Sequence, residues 1–270
     1  MLSICAVIAA RNEASYLRIL LPVLAEQGIE AAILDHGSTD GSRDLYSAFM
    51  GNPITQVRPL DYQGSFSLAQ QLEAKRSLTR ELRHDWVIHQ DADEIFEHVE
   101  TGSMRDVIEE AAAAGFNAVN FDEFVFLPAP GDDYTGRDFY RGMDRYYFFE
   151  PQKSHQHRAW NRLGGFDNVA SGGHRLQGQG LKLFPRSHIK RHYMVLSEQH
   201  AREKYLRRVF APAEVKRGWH VKRLNLTASM LSLPSKSRYL LTLDRPDSRD
   251  FFTGIPALKH YWDWGPDERI

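Results

Sequence analysis

Four short strand-like runs, at residues 2–9, 31–34, 54–57 and 86–89, alternate with stretches of helical spacing. That alternation constrains the fold more than any other feature. The first run, with Ile4, Val7 and Ile8, is continuous rather than every-other-residue, the pattern of a strand buried on both faces. A helix is expected over 13–27, capped by Asn12 or Ser15 and ending near Gly28, with Pro22 kinking it or delaying its start. Further helices are expected over 43–50, over 66–82 with Leu68, Leu72, Leu78 and Leu82 on one face, and over 104–114, followed by a long strand at 117–127. Strands alternating with helices predict a central, mostly parallel sheet flanked by helices, an α/β fold. Ligands of such sheets sit beyond the carboxyl ends of the strands. The segments 10–13, 35–42 and 90–94 all follow strands, so they are expected to converge on one crevice.

The character changes after Pro128. Residues 129–141 read as a loop, 145–150 as a strand, 164–180 as a glycine-rich loop, and 197–210 as a basic helix capped by Ser197. Beyond Pro212 the pattern weakens, and the aromatic end Tyr261, Trp262 and Trp264 is expected to dock on the body. The chain therefore divides into 1–127 and an α+β half over 128–270, both belonging to one functional unit.

The net charge of −1 excludes a strongly basic nucleic-acid binder, and the 42% apolar content excludes a disordered chain. The total conceals an asymmetry: residues 1–135 carry 9 Lys and Arg against 22 Asp and Glu, and residues 136–270 carry 25 against 13. The basic excess is densest over 182–223, which reads either as a solvated basic face or as a site for an anion. Cys5 is the single cysteine, so an internal disulfide and a cysteine-based zinc site are excluded. Residues 1–10 are apolar but too short to span a membrane and lack the basic flank of a signal peptide, so a cytoplasmic, soluble chain is expected.

Asp91-Ala92-Asp93-Glu94 follows the fourth run. Two carboxylates one residue apart suit a hard divalent cation such as Mg²⁺ bridging substrate phosphates. A solvated acidic turn is the alternative, and Ile95 excludes a phosphatase motif that requires Thr there. The stretch 10–13 and the loop 35–42 offer carboxylates, small residues and backbone donors able to hold a base and ribose edge, or they form ordinary strand-to-helix turns.

Taken in order, Val7-Ile8-Ala9-Ala10-Arg11-Asn12-Glu13, Leu34-Asp35-His36-Gly37-Ser38-Thr39-Asp40-Gly41-Ser42 and Asp91-Ala92-Asp93-Glu94 resemble family 2 glycosyltransferases. The resemblance covers residues 3–127, and His36 stands where a second Asp is common. It implies a GT-A (Rossmann-like) fold with a C-terminal α+β acceptor-side region. The implied activity is metal-dependent transfer, with inversion, from a nucleotide-diphospho-sugar to a glycan or lipid-linked acceptor in polysaccharide biosynthesis. By the same resemblance, Ala10, Arg11 and Glu13 line the nucleotide pocket. Asp35 holds the base with Ser38 beside it, and Lys75 or Arg76 reaches the nucleotide or a phosphate. Asp91 touches the ribose or the metal's water shell, and Asp93 ligates Mg²⁺ or Mn²⁺ against the departing diphosphate.

The family's downstream acidic pair is missing. His174, within Ser171-Gly172-Gly173-His174, is the candidate base, with Asp122 and Glu123 as rivals, of which one at most faces the site. His192, in Arg191-His192-Tyr193, is the candidate to complete the metal shell, against a core histidine as the alternative. Trp219-His220 is a candidate acceptor surface. The basic 182–223 segment suggests an anionic acceptor and peripheral contact at the inner membrane face. Other readings are a degenerate GT-A binding module and a sugar nucleotidyltransferase, the latter weakened by the absence of glycine from 10–14.

Overall fold

The computed structural model describes residues 1–269. In chain order the elements are β1 (Ile4–Ala10), α1 (Ala14–Glu26), β2 (Glu30–Asp35), α2 (Ser42–Ala48), β3 (Ile54–Pro59), α3 (Leu68–Glu81), β4 (Trp86–Gln90), β5 (Glu94–Glu97) and α4 (Met104–Ala113). They continue with β6 (Ala118–Phe126), α5 (Phe139–Gly142), β7 (Arg145–Phe149), β8 (His157–Asn161), β9 (His188–His192), α6 (Glu198–Leu206), α7 (Pro212–Lys216), α8 (Val221–Leu224) and β10 (Leu241–Thr242). Two units interleave along the chain. The first holds residues 1–63, 68–121 and 154–190; the second holds 64–67, 122–153 and the chain from 191 onward.

The first unit is built on the parallel strands β4, β1, β2 and β3, in that spatial order. The α/β expectation therefore holds. Cys5, Ala6, Val7 and Ile8 of β1 are fully buried, because β1 has a neighbour on each side and helices cover its faces. The chain runs from β1 outward to β2 and β3, then returns to place β4 on the opposite side of β1. The gap between β1 and β4 is thus a topological switch point. Antiparallel β8 pairs with β4, and the first half of β6 pairs with β8. Helix α1 accommodates Pro22 without ending there, because it buries Leu17, Leu20, Leu21 and Leu24 along one stripe. Helix α3 buries Leu72 and Leu78 and, between them, Lys75. The core gathers Cys5, Val7, Leu34, Leu78, Val87 and Trp160.

In the second unit the latter half of β6 pairs antiparallel with β7, and β10 adds to the far edge of β7. The core includes Val125, Tyr147, Met194, Tyr205, Leu231, Tyr261, Trp262 and Trp264. The aromatic C-terminal segment is buried as expected, and Arg269 donates to the carbonyls of Tyr261 and Met230. The helix expected over 197–210 does start at a Ser197 cap, whose Oγ accepts from the His200 N–H at 3.1 Å, but it stops at Leu206. The backbone beyond is committed elsewhere: Phe66 N–H donates to the Val209 carbonyl and Ala211 N–H to the Phe66 carbonyl, which holds 209–211 extended.

Strands β5, β8 and β9 are absent from the sequence reading. Each is four or five residues long and carries charged or histidine side chains, so no apolar run marks it. Among the described residues no helix is long and apolar enough to cross a membrane.

Candidate functional site

The three loops do meet at one end of the parallel sheet. Ala10 is paired in register with Asp35, and Ile8 with Gln90, so the chain leaves β1, β2 and β4 side by side at about 4.8 Å strand spacing.

The first two loops are fastened together by their own polar groups. The Asp35 carboxylate accepts from the Ser38 N–H at 3.1 Å, a side-chain turn that starts the loop. Gly37 then adopts a left-handed φ of 71°. The Arg11 guanidinium lies 3.4 Å over the Tyr62 ring and donates to the carbonyls of His36 and Gly37. Asn12, itself left-handed, accepts from Thr39 N–H at 2.7 Å and donates its own N–H to Ser38 Oγ. Glu13 N–H donates to Ser42 Oγ, and Ala14 N–H to Asp40. Asp35 also pairs with Arg43 at 3.2 Å. Ala10, Asp35 and Ser38 are consequently buried, whereas Arg11 and Glu13 are half-buried. His36 is enclosed beside Gln71 and Tyr62, and burial lowers its pKa, which keeps the ring neutral.

The third loop rests on a network of buried cations. Lys75 Nζ lies 2.8 Å from Asp91 Oδ1 and also donates to the Gln90 carbonyl. Arg158 Nη2 lies 2.9 Å from Asp91 Oδ2 and 2.7 Å from Glu94 Oε1. Lys190 Nζ reaches the same Glu94 oxygen at 3.0 Å. Burial favours the neutral acid at Asp91, but the charges of Lys75 and then Arg158 outweigh it and hold the carboxyl well below the usual range. Both oxygens of Asp91 thus face cations of the protein itself. Asp93 sits half-buried on the turn between these two anchored carboxylates. Arg158 is aimed partly by Gly173, whose carbonyl it approaches at 3.4 Å and whose φ is 90°.

Sequence reasoning named Asp91, Asp93 and Lys75 but gave no role to Arg158, Lys190 or Glu94. Arg158 and Lys190 lie on β8 and β9, and the only local signal is a charged residue inside an otherwise buried strand. Arg76 lies elsewhere, pairing with Glu73 at 2.6 Å and with Asp167 at 3.7 Å.

His174 follows the Gly172-Gly173 turn with its side chain exposed and its ring 6.0 Å from that of His155. In the second unit, Glu123 and His192 are brought together: Nδ1 of His192 lies 2.6 Å from Glu123 Oε1. A carboxylate accepts, so Nδ1 carries the proton. Glu123 is buried, and the neighbouring Asp122 is half-buried.

Among the described residues His98, Glu110 and His188 also gather ligand-capable atoms within 4.8 Å of one another. The hydrogen bonds argue against a metal there. His98 Nδ1 accepts from the N–H groups of Glu100 and Thr101, so its Nε2 is protonated and donates to Glu110. Arg186 already covers both Glu110 oxygens, at 2.6 and 2.7 Å.

No protein-family model matches the chain, and no curated protein matches it in sequence. Partial structural matches occur among solved structures. S. aureus TarS superimposes with a TM-score of 0.46 at 10% identity over 74% of this chain, which spans 39% of the TarS chain. TarS 1–349 in complex with UDP gives 0.44 at 10% identity over 83% of this chain and 73% of that one. The galactosyltransferase LgtC with donor and acceptor sugar analogs gives 0.31 at 18% identity, over 58% of each chain.

Proposed function

We propose that the chain is a nucleotide-sugar-dependent glycosyltransferase of GT-A type, similar to family 2, acting on a glycan or lipid-linked acceptor with inversion. The observation that carries this reading is the switch point between β1 and β4, where the Arg11–Glu13, Asp35–Ser42 and Asp91–Glu94 segments converge. A crevice at such a point suits a nucleotide. The Asp35 loop would take the base and ribose, and the Asp91–Glu94 turn the diphosphate.

The donor set of the turn fits a hard divalent cation. Asp91 and Glu94 are anchored by Lys75, Arg158 and Lys190, which fixes the turn and presents Asp93 as the carboxylate for Mg²⁺ or Mn²⁺. When bound, such an ion offsets the charge that builds on the departing diphosphate. Asp91, in this reading, supports the turn rather than ligating the metal. His174 is the proposed base for the acceptor hydroxyl, exposed on its glycine turn where an incoming acceptor can reach it.

A thermal-shift panel of nucleoside diphosphates with and without Mn²⁺ tests the reading, since a ligand bound only by the folded state raises its stability. At least one diphosphate is expected to stabilise the protein in a Mn²⁺-dependent way. Asp93→Ala should abolish that shift and donor turnover together. Unchanged turnover in Asp93→Ala, or no stabilisation by any diphosphate, would sink the proposal.

A further inference from the structure

Within the second unit, segments distant in sequence are tied into one subassembly. Phe66 is bridged to Phe210 by backbone hydrogen bonds, and its ring packs 5.7 Å from His220. His220 stacks on Phe210 at 4.5 Å, and its Nε2 pairs with buried Glu214, which also accepts from Ser67 Oγ. Arg208 lies over the rings of Phe66 and Tyr205, and Arg223 over Tyr205. These contacts bring the end of α6, α7 and α8 to one place.

The residues that this subassembly exposes are both aliphatic and cationic. Next to the tied residues stand Leu206, Val209, Val221 and Leu224, which are 43%, 60%, 45% and 49% exposed. Residues 202–224 hold eight Lys and Arg against Glu203 and Glu214, and Glu214 is buried. Arg202, Arg207, Lys216, Arg217 and Lys222 are exposed. A soluble partner rich in carboxylates would use the cations but leave four aliphatic side chains in water. An anionic bilayer uses both, since lipid headgroups attract the cations and the interface takes up the aliphatic tips.

We infer that the 202–224 surface docks on anionic lipid bilayers. This does not depend on the transferase reading. The full chain is sedimented with phosphatidylcholine vesicles, with and without phosphatidylglycerol, over a salt series. Binding is expected only with phosphatidylglycerol and is expected to weaken with salt. Replacing Arg217 and Lys222 together by Ser should weaken it roughly thirtyfold, at the affinity typical of two cations near an anionic surface. Replacing Val209 and Leu224 together by Ser should weaken it by about tenfold. Both pairs are exposed, and unchanged melting temperatures show that the fold is retained. No vesicle binding at low salt overturns the inference. So does binding that the Val209 and Leu224 replacements leave unchanged and that a single-stranded polynucleotide matches, because the surface then recognises polyanions in general.

Discussion

Arg158 Nη2 lies 2.9 Å from Asp91 Oδ2, joining the antiparallel strand β8 to the acidic turn that follows β4. The two residues are 67 positions apart in sequence, yet the same nitrogen also holds Glu94. The turn carrying Asp93 is thereby clamped on both sides by charges that are themselves buried. On the proposed function, a metal or diphosphate arriving there would meet a carboxylate whose position is set in advance, the condition under which electrostatic stabilisation needs no rearrangement.

Removing the clamp should be costly. Arg158→Met leaves Glu94 buried with one cation fewer and strips Asp91 of one partner. Breaking a buried charge pair from one side typically costs about 3–5 kcal/mol. Urea denaturation should register a loss of that order in Arg158→Met. A loss below about 1 kcal/mol would mean that the network is solvated and does not hold the turn.

Gly37 makes the second loop possible. At a φ of 71° a side chain is strained, and a Cβ there would lie 3.2 Å from Tyr62 Cβ and 3.3 Å from an Arg11 guanidinium nitrogen. Gly37→Ala is expected to lose about 1–2 kcal/mol of stability from the left-handed backbone alone. It should also displace Arg11 from the Tyr62 ring, and so lower the nucleoside-diphosphate stabilisation in the thermal-shift panel. Wild-type stability together with an unaltered shift would show that the loop tolerates another course.

The parallel core was legible because its central strands are buried on both faces and read as apolar runs, as Cys5–Ile8 and Trp86–Ile88 do. The loops could be placed from that core, because a parallel sheet puts successive strand ends on one side. The supports of the site were not legible. Arg158 and Lys190 are buried only because Asp91 and Glu94 neutralise them, a property of the pairing and not of either local sequence. The early end of α6 was hidden for a similar reason: its propensity continues, but the partner of Val209 and Ala211 is Phe66, far away in the chain. His192 and Glu123 were each singled out, for different tasks. Their contact changes the reading of both, since Glu123 orients the ring of His192.

That contact fixes a tautomer. With Nδ1 donating to Glu123 across 2.6 Å, His192 should show a protonated Nδ1 in ¹⁵N-resolved spectra at neutral pH. Glu123→Ala should release the ring and let the tautomers mix, whereas Glu123→Gln, which keeps an acceptor oxygen, should preserve the Nδ1–H form in part. A wild-type ring protonated on Nε2 alone would refute the pairing.

Acid should destabilise the protein through His188. Its ring is buried between Phe184 and His98, and neither nitrogen has a hydrogen-bond partner. Burial, and then the charges of His98 and Arg186, lower its pKa to about 4, with Glu110 alone opposing. In the unfolded chain the ring titrates near 6.5, so between these values the unfolded state binds a proton that the native state does not. Stability therefore rises with pH across that window and is lost on acidification, by up to about 3 kcal/mol once the pH falls to the native pKa. His188→Phe keeps a ring against Phe184 and removes the titration, so the variant should lose less stability than the parent between neutral pH and pH about 4.5. Urea unfolding of both proteins at the two pH values measures the difference, and equal losses would assign the acid sensitivity to other groups.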